Sequence, residues 1–192
     1  MPFDALSDVS DDALLVAFGN GDRSAARALT RRLTPRMLGY ATRLLGDRTE
    51  AEDVAQEAML RLWRIAPDWR QGEARITTWL YRVVSNLCTD RLRKRREVVL
   101  ESIGEPVDGA PSVGEKMVED QLQASLQAAL MQLPERQRQA VVLRHIEGVA
   151  NSDIARAMDI SVEAVESLTA RGKRALAQAL SGRSEELGYQ DD

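Results

Sequence analysis

The chain has 192 residues, of which 44% are hydrophobic, with 26 lysine and arginine residues against 30 aspartate and glutamate residues. This composition supplies enough apolar surface to build a core and excludes a wholly disordered protein. No apolar run approaches the ~18 residues that a membrane-spanning helix needs.

Cysteine and histidine are each present once, as Cys88 and His145. An internal disulfide is therefore excluded, and a zinc site of the usual Cys/His kind has too few ligands, so we expect no bound metal. The acidic start, MPFDALSDVSDD, lacks the basic and then apolar pattern of a secretory signal. We therefore expect a cytoplasmic protein.

Charge is distributed unevenly along the chain. Residues 61–96 hold ten basic and three acidic residues, a net charge of +7. Residues 97–135 hold one basic and eight acidic residues, a net charge of −7. A basic block is therefore followed by an acidic block, and the two cancel in the total charge of −4.

Apolar residues recur at helical spacing, and no sustained alternation predicts a strand. We predict a first helix that Ser10 or Asp11 opens and that ends at the following glycines. A second helix is predicted over Arg23–Leu44, with a kink or break at Pro35 because proline lacks the backbone N–H of an interior helical turn.

The third helix is predicted to begin at Thr49, which forms an S/T-x-x-E capping box with Glu52, and to end before Pro67. After a loop, Thr77 or Thr78 is predicted to cap a fourth helix, one face of which is apolar. The residues predicted for its polar face are Arg82, Ser85, Asn86, Thr89 and Arg93.

Helical periodicity is then lost, and residues 97–115 gather glycine, proline and acidic residues. We interpret this stretch as a flexible acidic linker. The predicted fold is all-α, with two small helical domains at residues 10–96 and 116–182 on either side of the linker.

The stretch NSDIARAMDISVEAVESLTARGKRALAQAL has the spacing of a helix-turn-helix. We predict a short helix over Ser152–Met158 and a left-handed turn at Asp159, a residue type that tolerates that conformation. Ser161 is predicted to cap the second helix. The residues expected to anchor that helix are Val162, Val165 and Leu168.

Two packed helices need not bind DNA, and the acidic residues on the second helix would face a polyanion. Its basic residues, in contrast, are placed to contact phosphates. The candidate DNA-binding residues of this helix are Ser161, Glu163, Glu166, Ser167, Arg171, Lys173 and Arg174.

The basic block combines aromatic and cationic residues, as proteins that bind unstacked bases often do. Asn86 can pair with a base edge. A solvated helix surface, tryptophans in the core and cations that only complement the helix dipole are the alternatives. The residues that accompany Asn86 as candidates are Trp69, Arg70, Arg75, Trp79, Arg82 and Arg93.

Four segments occur in a characteristic order: AEDVAQEAMLRLWR, TTWLYRVVSN, LPERQRQAVVLRHIEG and the helix-turn-helix. Over roughly residues 10–180 the chain resembles an extracytoplasmic-function (ECF, group IV) sigma factor of bacterial RNA polymerase. The resemblance implies sigma region 2 in the first domain, a variable linker, and sigma region 4 in the second domain.

The resemblance also implies a role for particular positions. Asp53, Gln56 and Glu57 match the helix that docks on the clamp helices of the largest polymerase subunit. The loop 69–74 and the fourth helix match the part that opens the −10 promoter element, and Ser161–Arg174 matches the −35 recognition helix.

Two departures from the family pattern concern the second domain. Ala150 stands where the family often has serine or threonine, and we expect Asn151 to take over this cap. Glu163 and Ala164 replace a frequent Gly-Thr pair, so the −35 sequence that is read is not implied.

The chain shows no nucleophile–base pair, P-loop or paired-ligand metal motif, so we predict no enzyme, no cofactor and no small-molecule substrate. Our hypothesis is a promoter-specificity subunit with three partners: core RNA polymerase, promoter DNA and an anti-sigma factor that holds it inactive until a stress signal. The alternatives are a ligand-responsive helix-turn-helix regulator and a helical adaptor.

A further hypothesis concerns regulation in the free protein. The acidic residues of 97–120 could lie over the basic surface and weaken DNA binding without polymerase. The residues whose neutralisation would test this are Glu97, Glu101, Glu105 and Asp108.

Overall fold

The computed structural model describes residues 6, 8–70, 72, 75–101 and 118–186, and all regular structure in these ranges is helical. This confirms the predicted all-α fold class. In the described ranges no helix combines the length and apolarity needed to cross a bilayer. The elements are α1 (Asp11–Gly19), α2 (Arg23–Leu45), α3 (Arg48–Ile65), a 3-10 turn (Ala66–Asp68), α4 (Ile76–Glu101), α5 (Val118–Gln132), α6 (Glu135–Val141), a π-helical turn (Val142–Ile146), α7 (Asn151–Met158) and α8 (Val162–Glu186).

Helices α1 to α4 share one core, in which α2 packs against each of the other three. Tyr40 of α2 is fully buried, and its hydroxyl lies 2.8 Å from the Ser85 hydroxyl of α4. The Tyr40 ring also meets the Tyr81 ring edge to face, with centroids 5.1 Å apart. These contacts fix the rotation of α4 about its axis and so decide which of its residues face outward.

A kink or a break was predicted at Pro35, and the proline lies inside α2 without ending it, so the break does not occur. Leu33 and Met37, on either side of the proline, are both fully buried in the same core. Packing of both halves of the helix on that core offsets the missing backbone hydrogen bond.

The start of α3 differs from the predicted capping box. Gly46 ends α2 in the left-handed conformation with φ 68°, and Asp47 follows as the cap of α3. The Asp47 carboxylate accepts from the Glu50 amide at 3.0 Å, so Thr49 lies inside the first turn. An ionised carboxylate also complements the positive end of the helix dipole.

Helix α4 begins at Ile76, before both threonines that were predicted to cap it. Its first amide donates instead to the Asp12 carboxylate of α1 at 2.9 Å. A residue 64 positions earlier therefore satisfies an amide in the first turn of this helix. The prediction of Ser10 as the cap of α1 is confirmed, since its hydroxyl accepts from the Ala13 amide at 3.2 Å.

At its other end α4 continues to Glu101, so the first residues of the predicted linker are helical. Residues 76–103 contain no glycine or proline, and Arg93 pairs with Glu97 one turn later at 3.9 Å. The remainder of the predicted linker, residues 102–115, lies outside the described residues, as do residues 116 and 117.

The second domain consists of α5 to α8. Helices α6 and α8 cross closely at Gly172, where an added Cβ would lie 2.5 Å from a Val141 methyl. Asp159 adopts the predicted left-handed conformation, with φ 55°. The Ser161 hydroxyl accepts from the Ala164 amide at 3.2 Å, which confirms the predicted cap of α8.

The cap of α7 was predicted incorrectly. Ala150 occupies the cap position without a side-chain hydrogen bond, and α7 begins at Asn151 itself. The Asn151 side-chain oxygen is buried without a hydrogen-bond partner. A cap side chain must come from the non-helical residue before the helix, and Asn151 is already the first helical residue.

Candidate polymerase and nucleic-acid interfaces

The outward surface of α4 carries the residues predicted to read DNA. Arg82 and Asn86 are exposed and lie one helical turn apart. Ser85, which was predicted to share this surface, is buried and bonded to Tyr40. Arg93 is exposed two turns further along, where it pairs with Asp90 at 3.2 Å.

Trp69 and Trp79 meet at the beginning of this surface. Their rings are arranged edge to face with centroids 6.4 Å apart, and both pack partly against the core. The Trp69 indole N–H is buried without a partner. Arg70 is exposed beside the pair, while residues 71, 73 and 74 of the loop lie outside the described residues.

Helix α3 presents the residues predicted to dock on polymerase. Asp53 and Gln56 are exposed, and Glu57 is half-buried. Arg61 donates to the Glu57 carboxylate at 2.9 Å, which lowers the pKa of Glu57 below its ordinary value. The carboxylate is therefore ionised at neutral pH and held in place by the cation one turn later.

An apolar groove beside these residues was not predicted. It lies between α2 and α3, has a volume of about 440 Å³, and includes Gln56 in its wall. Leu60, 44% exposed on the polar side of α3, is the sequence signal that could have indicated it. The apolar residues of the groove are Leu38, Ala55, Met59, Leu60 and Trp63.

In α8, the exposed acids and bases lie on one continuous helix. Arg171 donates to the Ser167 hydroxyl at 2.6 Å, so these two predicted residues form one unit. Hydrogen bonds from its own backbone N–H and from Ser161 lower the pKa of Glu163. The Glu163 carboxylate is therefore stabilised by groups at the N-terminus of α8, although the residue is also exposed on the outer surface of that helix.

Two of the three predicted anchors of α8 are at least partly buried. Val165 is fully buried, Leu168 is half-buried, and Val162 is 37% exposed and not an anchor. The remaining candidates on this helix are exposed: Glu163, Glu166, Arg171, Lys173 and Arg174.

The two domains meet over the outward surface of α4. A cleft of about 460 Å³ lies between them, with Arg82, Asn86 and Thr89 on one wall. The opposite wall belongs to the second domain and is made by Glu135, Arg136, Gln139, Ala157, Met158 and Asp159. Arg75 also faces the second domain, 3.9 Å from the Asp153 carboxylate.

The two domains correspond to two protein-family models. Residues 29–98 match sigma-70 region 2, and residues 123–176 match sigma-70 region 4. The RNA polymerase sigma-H factor of Pseudomonas aeruginosa is 31% identical over 186 residues, with 91% of this chain and 96% of that protein covered. The chain belongs to the ECF sigma factors of the sigma-70 family. It is thus a transcription initiation factor and not an enzyme.

Other relatives of this sigma factor agree with that assignment. The ECF RNA polymerase sigma factor SigM of Mycobacterium tuberculosis is 36% identical over 172 residues, with 89% of this chain and 85% of that protein covered. The match of residues 29–98 to sigma region 2 also favours a sigma factor over a helix-turn-helix regulator with a sensor domain.

Solved structures share the fold. CnrH, in its complex with the cytosolic domain of CnrY, gives a TM-score of 0.67 at 25% identity, with 90% of this sigma factor and 97% of CnrH covered. The sigma factor RpoE of Bartonella quintana, in complex with the anti-sigma factor NepR, gives a TM-score of 0.66 at 23% identity, with 81% of this sigma factor and 96% of RpoE covered.

Proposed function

We propose that this sigma factor binds core RNA polymerase in the bacterial cytoplasm and directs initiation at promoters with a −10 and a −35 element. The observation that carries the proposal is the presence of two sigma regions in one chain, each with an exposed polar helix surface. In this proposal residues 10–96 supply polymerase and −10 binding, and residues 116–182 supply −35 binding.

Polymerase docking is assigned to α3. Asp53 and Gln56 offer an exposed polar surface, and the Glu57–Arg61 pair holds a further carboxylate in place. The apolar groove beside Gln56 offers desolvation energy that the polar residues alone lack. An interface with an apolar centre and a polar rim fits the clamp helices of the largest subunit.

Reading of the −10 element is assigned to Arg82 and Asn86, with Arg93 as a contact to the backbone. Extraction of a base from the duplex costs a few kcal/mol. Attraction of the displaced strand to the basic block, and stacking of the base near the Trp69–Trp79 pair, offset that cost.

Reading of the −35 element is assigned to α8, from Ser161 to Arg174. Arg171, Lys173 and Arg174 supply the cations that contact phosphates. Because one chain joins the two DNA-binding surfaces, the first contact raises the effective concentration of the second. Each domain alone should then bind promoter DNA more weakly than the whole chain.

An anti-sigma factor is the third proposed partner. RpoE of Bartonella quintana is bound by the anti-sigma factor NepR in a structure of the same fold. A comparable partner of this chain would cover its polymerase-binding surface until it is released.

The test is transcription with sigma-free core polymerase and genomic DNA, with the transcript starts mapped. We expect initiation at a defined promoter set that depends on this chain. Asn86→Ala should relax preference within the −10 element, and Arg171→Ala should weaken promoters through the −35 element. Arg27→Ala, which removes an exposed cation of α2 outside these surfaces, is the control. Equal losses on all DNA sequences would reduce both residues to phosphate contacts, and an absence of initiation would refute the proposal.

A further inference from the structure

Helix α1 contacts the chain at two places that lie far apart in the sequence, one before Trp69 and one before Trp79. Its first turn meets the start of α4, and its last residue meets the 3-10 turn at Ala66–Asp68. One helix of nine residues therefore borders both of the turns that carry the tryptophan pair.

The contact at the start of α4 is made by Asp12. Its carboxylate accepts from the amide of the fully buried Ile76 at 2.9 Å. This amide belongs to the first turn of α4, which the Trp79 amide closes by donating to the Arg75 carbonyl oxygen at 3.1 Å. A carboxylate acceptor makes a hydrogen bond about twice as strong as a neutral one, and it complements the positive end of the helix dipole. Asp12 therefore holds the turn from which Trp79 projects.

The contact before Trp69 is made by the last residue of α1. A Cβ added to Gly19 would lie 2.6 Å from the Ala66 carbonyl oxygen and 3.1 Å from the carbonyl carbon, so the two backbones touch. That oxygen also accepts from the Trp69 amide at 3.3 Å. Among the described residues the Trp69 indole N–H has no partner, so the ring itself supplies no hydrogen bond to orient it. The position of Trp69 therefore depends on the backbone that Gly19 abuts.

Helix α1 is itself fixed to the core of the first domain. Leu14 and Leu15 on its inner face are 1% and 0% exposed. Arg32 of α2 donates to the Val9 carbonyl oxygen at 2.7 Å and to the Asp11 carboxylate at 3.1 Å, across the start of α1. Because buried leucines and a guanidinium hold α1 on α2, the helix is a rigid support for the two turns that it contacts.

The two tryptophans that α1 supports form one pair, with ring centroids 6.4 Å apart. A base that stacks beside them must order any part of this surface that moves in the free protein, and the cost of ordering is subtracted from the binding free energy. A surface that is already held on both sides loses less on binding. Support from α1 therefore favours capture of a base.

We propose that α1 is a brace for the Trp69–Trp79 pair, with Asp12 as its positioning residue, and that it acts on promoter opening. Asp12 acts through α4 and is assigned no DNA contact. The effect on DNA rests on the proposed function, since capture of a displaced base is what requires the pair to be held. The position of the pair in the free protein does not depend on that function.

The test measures the rate of open-complex formation by core polymerase with the full-length chain. One template is a promoter from the mapped set, and the other is the same promoter with a mismatched, already open −10 element. Asp12→Ala should slow opening of the duplex promoter about tenfold, because a hydrogen bond to a charged group is lost. On the mismatched template the loss should stay below about twofold, because extraction of a base no longer limits the rate. Asp12→Asn should restore opening, since its oxygen can still accept from the Ile76 amide.

Asp22→Ala is the matched control. It also removes a carboxylate that accepts from a backbone amide at a helix start, the Ser24 amide at 2.8 Å, but this bond lies within the start of α2. The variant should lower the stability of the first domain as loss of a cap does, and leave both opening rates unchanged. Gly19→Ala tests the other end of α1 and should show the same loss on the duplex promoter alone, because its Cβ presses on the Ala66 carbonyl.

A second measurement needs no DNA. In a Trp63→Phe background only Trp69 and Trp79 emit, and quenching of their fluorescence by acrylamide reports how well the pair is shielded. Asp12→Ala should raise the quenching constant, whereas Asp12→Asn and Asp22→Ala should leave it unchanged.

Equal slowing on both templates in Asp12→Ala, or no slowing, would overturn the brace, and so would an unchanged quenching constant in that variant. If the starting protein forms no open complex on any promoter, the proposed function fails, and the quenching constant alone decides whether α1 holds the pair. The two proposals therefore fail on different results.

Discussion

Gly172 gives a prediction whose size can be worked out from the crossing of α6 and α8. An alanine Cβ at this position would lie 2.5 Å from the Val141 methyl and 3.2 Å from the Gln137 carbonyl oxygen. Val141 is 1% exposed and β-branched within a helix, so it cannot rotate away freely. The overlap must therefore push the two helix backbones apart.

The net effect combines two opposing contributions. Alanine is favoured over glycine inside a helix by about 1 kcal/mol. Overpacking of a tight core costs about 1–3 kcal/mol, and contact with backbone on one side places Gly172→Ala at the upper end. We expect a net loss of about 1–2 kcal/mol in the free energy of unfolding of the second domain.

Gly39 provides the matched control. It also lies inside a helix, but a Cβ there would meet only the flexible end of Arg43 at 3.0 Å. Gly39→Ala should therefore gain most of the difference in helix propensity between alanine and glycine, and raise the free energy of unfolding of the first domain by about 0.5–1 kcal/mol.

Denaturant unfolding followed by two probes can distinguish the unfolding transitions of the two domains. All three tryptophans, Trp63, Trp69 and Trp79, lie in the first domain, so their fluorescence reports on it, while far-UV circular dichroism reports on both. Gly172→Ala should shift the dichroism transition to lower denaturant and leave most of the fluorescence transition in place. Val141→Ala should be less costly in the Gly172→Ala background, because it removes the overlapping methyl. A Gly172→Ala variant as stable as the starting protein would refute the assigned crossing.

Three other predictions concern the Tyr40–Ser85 hydrogen bond, the buried thiol of Cys88 and the Ser161 cap. Tyr40→Phe should lower the free energy of unfolding, measured by tryptophan fluorescence, by about 1–2 kcal/mol. Part of this loss should be recovered in the double variant Tyr40→Phe/Ser85→Ala, because it leaves no unpaired hydroxyl. Full additivity of the two changes would contradict the hydrogen bond. Burial raises the pKa of the Cys88 thiol to about 12, so Ellman's reagent should react at pH ~8 only after denaturation. The unfolded thiol also ionises first as the pH rises above about 9, so Cys88 should lower stability in that range, and Cys88→Ala should remove this part of the pH dependence. Ser161→Ala should lower the free energy of unfolding of the second domain by about 1 kcal/mol, and Ser161→Asp should keep most of the stability. A Ser161→Ala variant with unchanged stability would show that the hydrogen bond from the Ala164 amide contributes nothing.

The sequence predicted those features that depend on a few neighbouring residues. The left-handed turn at Asp159 and the caps at Ser10 and Ser161 require only local hydrogen bonds and backbone preferences. The helical fold class follows in the same way from apolar spacing, and the order of four motifs led to the family.

Features that depend on distant residues were beyond such reasoning. The start of α4 depends on Asp12, which no local pattern connects with Ile76. Ser85 is inside because Tyr40 of another helix needs a partner there. The ion pairs of Glu135 with Arg96 and of Glu147 with Arg36 depend on a packing of two domains that helical periodicity does not encode.

The π-helical turn at Val142–Ile146 gives the domain contact an unusual vulnerability to changes in chain length. A π turn contains about one residue more than an α turn over the same rise. Glu147 therefore projects from the helix axis in the direction that the preceding or following residue would take in a regular α-helix. Deletion of one residue here would leave Glu147 chemically intact and yet rotate it by about 100° about the helix axis. An insertion or deletion in this turn during evolution could therefore uncouple the two domains in a single step, without any substitution in the surfaces that meet DNA or polymerase.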